Sequence, residues 1–264
     1  MRSNKMSEFL KSVLRPVFLF LKSVLGPGLR KLKYGSALTI RRSVPFLDKT
    51  VPSLGRKIRT WGWIWQPSYS ASWLKNFYKR TVDPYHFDGT PYEAEKYAHT
   101  MRLLNGRIYE NALEIGAAEG IFTQLLAPIC TSVLAVEVAD AAVARANERL
   151  RGCTNVTFIQ ATLPHQMPDG QFDLIIASDV LYYFPKDVVL ELLARFEEGL
   201  KPGGILFTLH YLGNFGQAIV GRELHDLMKR HSTLEQTHDE TVAGVGPGGD
   251  GYTVTIFRKP AAKA

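Results

Sequence analysis

One stretch near the middle of the chain limits the folds open to it. Ala112-Leu113-Glu114-Ile115 reads as a buried strand, runs into Gly116-Ala117-Ala118-Glu119-Gly120, and continues as the apolar helix start Ile121 to Leu126. A strand that turns through glycine into a helix opens a nucleotide-binding α/β sheet, because glycine has no Cβ and lets a ligand approach the backbone. The alternation then persists. Val133-Leu134-Ala135-Val136 reads as a second buried strand ending in Glu137. An Ala-rich helix Ala141–Leu150, strands Val156–Gln160 and Phe172–Ala177, a helix Asp187–Leu200 and a strand Ile205–His210 follow. Such alternation predicts a parallel sheet with helices on both faces. After a helix from about Gln217 to His231, the runs Thr233–Val242 and Tyr252–Arg258, joined by a Gly/Pro-rich connection, predict a closing antiparallel pair.

The loop also separates nucleotide classes. A dinucleotide fingerprint asks for glycines at 116, 118 and 121, but 118 is Ala and 121 is Ile, so a phosphate-cradling turn fits poorly. Glu114, at the end of a buried strand, would repel a pyrophosphate but suits the ammonium of a methionine moiety. Glu137 stands 21 residues beyond Gly116 at the tip of the second strand, where a carboxylate accepts bonds from both ribose hydroxyls. A surface acid after a strand is the plainer explanation for Glu137; the loop before it favours the ribose role. Ligands in such sheets gather at the carboxyl ends of the strands, which brings in Val138, Ala161, Thr162 and Leu163, the last three placed to contact an adenine.

Taken together, LEIGAAEG, the acid in LAVEV, FDLIIASDVLYYF and LKPGGILF resemble motifs I, II, IV and VI of class I S-adenosylmethionine-dependent methyltransferases over residues 73–259. The resemblance implies a Rossmann-like seven-stranded sheet of order 3-2-1-4-5-7-6 with strand 7 antiparallel, and S-adenosyl-L-methionine as cofactor. Ala118 departs from it where glycine is more usual. Asp83-Pro84-Tyr85-His86-Phe87, Tyr92-Glu93, Lys96-Tyr97 and Ser178-Asp179-Val180-Leu181-Tyr182-Tyr183 are similar to the nodulation protein S type of methyltransferase. Members of that family N-methylate the free amine of a deacetylated glucosamine unit in a chitooligosaccharide. The resemblance implies that Tyr92 and Tyr97, on a helical segment folded over the cofactor, approach its methionine end; domain packing is the competing explanation for these aromatics.

Asp179, Tyr182, Tyr183 and His210 follow strands 4 and 5 on the cofactor side and are the candidates to orient the acceptor or take its proton. Packing at a strand–helix junction competes for the tyrosines, and a hydrogen-bonded surface role for His210. The expected enzyme methylates an amino-sugar or saccharide-like acceptor. The alternatives are O- or N-methylation of a lipid-linked or membrane glycan, and a non-catalytic scaffold of the same fold.

Charge bears on partners only after division along the chain. Residues 1–60 carry 14 Lys/Arg against Glu8 and Asp48, or +12; the remaining 18 basic and 23 acidic side chains give −5 for residues 61–264. A net acidic catalytic part repels phosphate, and motif IV lacks an Asn-Pro-Pro-Tyr type signature, so no nucleic-acid partner is expected. The basic part is an extension, residues 1–43. In it Leu10, Val13, Leu14, Val17, Phe18, Leu21, Val24 and Leu25 line one side of a helix, opposite Lys11, Arg15 and Lys22. Its apolar runs are too short to span a bilayer, which takes roughly 20 residues. Peripheral contact with an anionic membrane surface is expected, with packing on the chain's own domain or a partner as the alternative. Residues 44–72, with Trp61, Trp63 and Trp65, read as a linker or arm, and 260–264 as a tail. Cys130 and Cys153 fit no metal spacing and are too few for a disulfide scaffold, and the seven histidines show no paired-ligand spacing. A cytoplasmic protein without a metal site is the expectation.

Overall fold

The computed structural model describes residues 70–104 and 106–261. The amphipathic extension, the tryptophans at 61, 63 and 65, most of the arm and the end of the tail lie outside the described residues. The elements are α1 (Ala71–Arg80), α2 (Pro91–Leu104), β1 (Tyr109–Ile115), α3 (Ile121–Leu126), β2 (Cys130–Glu137), α4 (Asp140–Arg149), β3 (Val156–Gln160), β4 (Phe172–Ser178), α5 (Lys186–Gly199), β5 (Leu200–Tyr211), α6 (Gly221–His231), β6 (Glu235–Val242) and β7 (Tyr252–Arg258).

The strands form one seven-stranded sheet of order β3-β2-β1-β4-β5-β7-β6. All contacts from β3 to β5 are parallel, and β7 runs antiparallel between β5 and β6. This is the expected topology, strand for strand. Its cause is visible in the side chains. Leu113, Ile115, Ile175 and Ala177 point to one face, where α5 and α6 bring Leu192, Phe196, Leu224 and Met228. Ala112, Leu174 and Ile176 alternate to the other, against Leu104, Phe122 and Leu126. A strand buried on both sides reads as a continuous apolar run, which is why β1 and β4 were legible.

Two boundaries differ from expectation by four residues or more. α6 starts at Gly221 rather than Gln217; the amides of Ala218 and Ile219 donate to the Tyr182 carbonyl (3.0 and 3.2 Å), which ties the segment before the helix to the turn after β4. β5 starts at Leu200, which pairs with Phe172 across an irregular step before regular pairing resumes at Leu174 and Ile205. At the far edge, β6 leaves Glu235, Gln236, Thr237, Asp239 and Thr241 exposed. Among the described residues no helix is long and apolar enough to cross a membrane.

Candidate functional site

The turn after β1 is built by its glycines. The amides of Gly116 and Ala117 both donate to the Val136 carbonyl (2.8 and 3.0 Å), which binds the turn to the end of β2. Gly116 has φ 76° and Gly120 φ 75°. A Cβ on Gly116 would stand 2.8 Å from Val180 Cγ2, and one on Gly120 2.8 Å from Leu150 Cδ1, so both positions exclude a side chain. Ala118 also sits in the left-handed region, at φ 47°, where a non-glycine residue costs about 1–2 kcal/mol. Its buried methyl packs with Tyr78, Ala139 and Ala142, which offsets part of that cost.

The turn forms one wall of an open cleft. Of the expected cofactor residues, Tyr97, Glu114, Gly116, Ala117, Ala118 and Asp179 line it together. Glu114 is buried at the end of β1 and accepts from the Thr123 hydroxyl at 2.6 Å. Burial pushes its carboxyl up to about 7, against the pull of Thr123. Glu137, also buried, accepts from the amides of Ala118 (3.0 Å) and Ala139 (2.9 Å), one on each oxygen. Burial raises its carboxyl above the usual range, opposed by those amides. Val138, Ala161, Thr162 and Leu163 lie beyond, at the carboxyl ends of β2 and β3, where the Ala161 amide donates to the Glu137 carbonyl (3.0 Å). Gly120 caps α3. Tyr92 stands apart from the cleft wall, packed near Tyr252 and against Gly246, where a Cβ would come within 2.5 Å of its ring. The two tyrosines expected at the methionine end therefore part: Tyr97 faces the cleft and Tyr92 faces the β6–β7 connection.

On the acceptor side, Asp179 stands at the end of β4 with φ 52°. Its Oδ1 accepts from the Tyr211 amide (2.8 Å) and its Oδ2 from Lys96 Nζ (2.6 Å). Tyr182 is buried in the core with its ring edge-on to Tyr183, His210 and Phe215; burial raises its phenol well above the ordinary value, and the nearby Asp179 adds to the shift. Burial raises the Tyr183 phenol likewise, and Tyr85 adds to the shift. His210 departs from expectation on both readings. It is fully buried rather than at the surface, and both ring nitrogens are engaged. Nε2 accepts from the Leu181 amide (3.1 Å), which leaves the proton on Nδ1 for His225 Nε2 (3.0 Å). Burial, helped by Lys96, depresses its pKa to about 3. It fixes the turn after β4 and has no nitrogen to offer an acceptor.

Two groups take roles that the sequence reading had not assigned. Glu93, Lys96, Thr100 and Leu104 form the buried side of α2. Lys96 Nζ lies within 2.7 Å of Glu93 and 2.6 Å of Asp179, with the rings of Tyr92, Tyr97 and Phe87 at 5.3, 5.8 and 5.9 Å. Burial pulls its ammonium down, but Asp179 and Glu93 prevail and hold it above the usual lysine value. The second group is Glu119, inside the glycine turn. Its Oε1 accepts from the Asp83 amide (2.9 Å) and Arg145 Nε (2.8 Å), and Arg145 also donates to the Tyr78 carbonyl (2.8 Å). The i, i+3 placement of Glu93 and Lys96 on the inward-facing side of α2 was the signal for the first. Nothing local marked the second.

Residues 74–198 match the family model described as Nodulation protein S (NodS). Nodulation protein S of Sinorhizobium fredii is 35% identical over 102 residues, covering 38% of this chain and 47% of that protein. Nodulation protein S of Rhizobium tropici is 32% identical over 127 residues, 47% of this chain and 53% of that one. The chain thus spans about half the length of the curated relatives it matches. Phosphoethanolamine N-methyltransferase 1 of Triticum aestivum is 30% identical over 120 residues, 44% of this chain and 24% of that protein. Among solved structures, N-methyltransferase NodS from Bradyrhizobium japonicum WM9 in complex with S-adenosyl-L-homocysteine superposes with a TM-score of 0.64 at 24% identity, covering 70% of this chain and 98% of that one. The resemblance read from the motifs is borne out: the described body has the class I methyltransferase fold, and its segment 74–198 carries the sequence pattern of nodulation protein S.

Proposed function

We propose that the chain transfers a methyl group from S-adenosyl-L-methionine to the amine of an amino-sugar acceptor. The observation that carries this reading is the pair of buried carboxylates, Glu114 and Glu137, at the ends of adjacent strands beside the glycine turn. The residues fit the cofactor. Each Glu137 oxygen accepts one backbone amide, and a carboxylate has about four lone-pair sites, which leaves capacity for a ribose diol. Glu114 is a buried carboxyl whose hydrogen-bond partner is a hydroxyl, an arrangement suited to an ammonium. When bound, the cofactor supplies an electrophilic methyl on a sulfonium.

The rest is positioning, which can supply several kcal/mol of a barrier reduction. Glu93, Lys96 and Asp179 sum to one negative charge beside the aromatic rings of Tyr97 and Phe87, which line the cleft. A site of that charge with aromatic walls attracts an ammonium over a neutral hydroxyl, which supports N- rather than O-methylation. The amine must lose a proton to attack, and Asp179, held by Lys96 and the Tyr211 amide, is the carboxylate placed to take it. The saccharide part of the reading rests on the likeness to nodulation protein S.

The test is mass spectrometry of a panel of glucosamine oligosaccharides, deacetylated and fully acetylated, after incubation with methyl-labelled S-adenosylmethionine. Label on the deacetylated members alone is expected. Equal labelling of acetylated members would point to a hydroxyl acceptor and overturn the amine assignment.

A further inference from the structure

Lys96 lines the cleft beside Glu114 and Gly116 with a side chain only 3% exposed. Taking an ammonium out of water is costly, and a methionine of similar volume would fill the same place without that cost. Among the described residues that line the cleft, Lys96 is the one cation. Glu114, which lines the same cleft, is the carboxyl suited to an ammonium. A cleft that holds one buried cation and one buried acid next to a glycine turn presents the charge pattern complementary to an amino-acid zwitterion.

We propose that Lys96 is the positioning residue that reads the α-carboxylate of the cofactor's amino-acid end, opposite Glu114 at its ammonium. The inference rests on the cofactor reading above and deepens it. A lysine ammonium has three donors. Glu93 and Asp179 engage it from one helix turn away and from the end of β4, which leaves capacity for a third acceptor. The charge around it permits that acceptor. Burial raises the Glu93 carboxyl despite Lys96 beside it, so Glu93 is disposed to take up a proton when a further anion arrives. The Lys96–Asp179 pair also joins the two halves of the site: one side chain touches the carboxylate on the acceptor side and stands at the cofactor wall.

The experiment is calorimetric titration of the full chain with two ligands. S-adenosylhomocysteine has the amino-acid end; 5′-deoxy-5′-methylthioadenosine keeps the nucleoside and sulfur without it. In Lys96→Met, affinity for the first is expected to fall at least about tenfold, while affinity for the second stays unchanged. An equal loss for both ligands, or no loss for either, would overturn the proposal. Retained binding of the second ligand also certifies a folded variant. Should Lys96→Met not fold, the unmodified protein decides: decarboxylated S-adenosylmethionine is expected to bind at least about tenfold more weakly than S-adenosylmethionine, and equal affinity would refute carboxylate recognition. Failure of the cofactor reading itself looks different, since the unmodified protein would then bind none of the four ligands, and the inference would fall with it.

Discussion

A carboxyl group held at the end of β1 by a hydroxyl alone titrates near neutrality, and that has a measurable consequence for ligand binding. Glu114, raised to about 7 by burial, is partly protonated in the free protein near that pH. A ligand ammonium favours the anion, so binding must expel a proton. Calorimetry in buffers of different ionisation heat at about pH 6.5 should show net proton release on binding S-adenosylhomocysteine, and affinity should weaken as pH falls through 7. Glu114→Gln should abolish the release; persistence in the variant would assign the proton elsewhere. Asp179 offers a second test at this scale. Asp179→Asn retains an acceptor for the Tyr211 amide but no basic carboxylate, so turnover should fall about 10²–10⁴-fold with cofactor affinity held within a few-fold. Unchanged turnover would remove Asp179 from the chemistry.

At the level of elements, α1 and the turn behind it are fastened to the glycine loop by side chains rather than by sheet. Arg145 on α4 bonds Glu119 and the Tyr78 carbonyl, and Arg149 bonds the Glu119 carbonyl (3.2 Å) and Asp88 (3.2 Å). Arg145→Met strips a buried carboxylate of its cation while Asp83 still donates to it, a loss of about 2–3 kcal/mol. Hydrogen exchange should show faster amides across residues 71–88, with β1 and β4 unaffected; uniform acceleration would mean that the contact supports the whole fold. These fastenings also mark where the sequence stopped being informative. The sheet, its order and the glycine turn were legible because burial on both faces writes itself as short apolar runs at regular intervals. Glu114 and Glu137 stood out as acids at the tips of such runs. The Lys96–Asp179 pair spans 83 positions and the Glu119–Asp83 bond 36, separations that no local periodicity encodes. His210 was misjudged for the same reason: its partner His225 arrives on α6, packed over the sheet.

Across the whole molecule, a buried polar chain runs from the turn after β4 to the far strands. His210 donates to His225, His225 Nδ1 to Thr255 Oγ1 (2.7 Å), and that hydroxyl to Asp239 (3.0 Å), which also pairs with Lys229. Burial depresses both imidazoles, His210 to about 3 and His225 also well below its ordinary value. Groups neutral in the fold but protonated in the unfolded chain contribute stability that is lost as pH falls below about 6.5, roughly 2 kcal/mol by pH 5 for His210, and His225 acts in the same direction. Glu114 acts in the opposite sense over the same window, so a bulk denaturation curve would mix the two. Ring-proton NMR separates them: the His210 and His225 signals should hold still from about pH 8 to about pH 5, and a midpoint near 6.5 in either would show it open to solvent. The last strand of the sheet, finally, bears on how the protein tolerates crowding. Among the described residues β6 is the last strand of the sheet, and Glu235, Gln236, Thr237 and Thr241 are exposed along it. Charges there discourage another chain from adding itself as an eighth strand, so concentrated preparations should resist fibre growth from that side even when the opposite rim, β3, is left to protect itself by brevity.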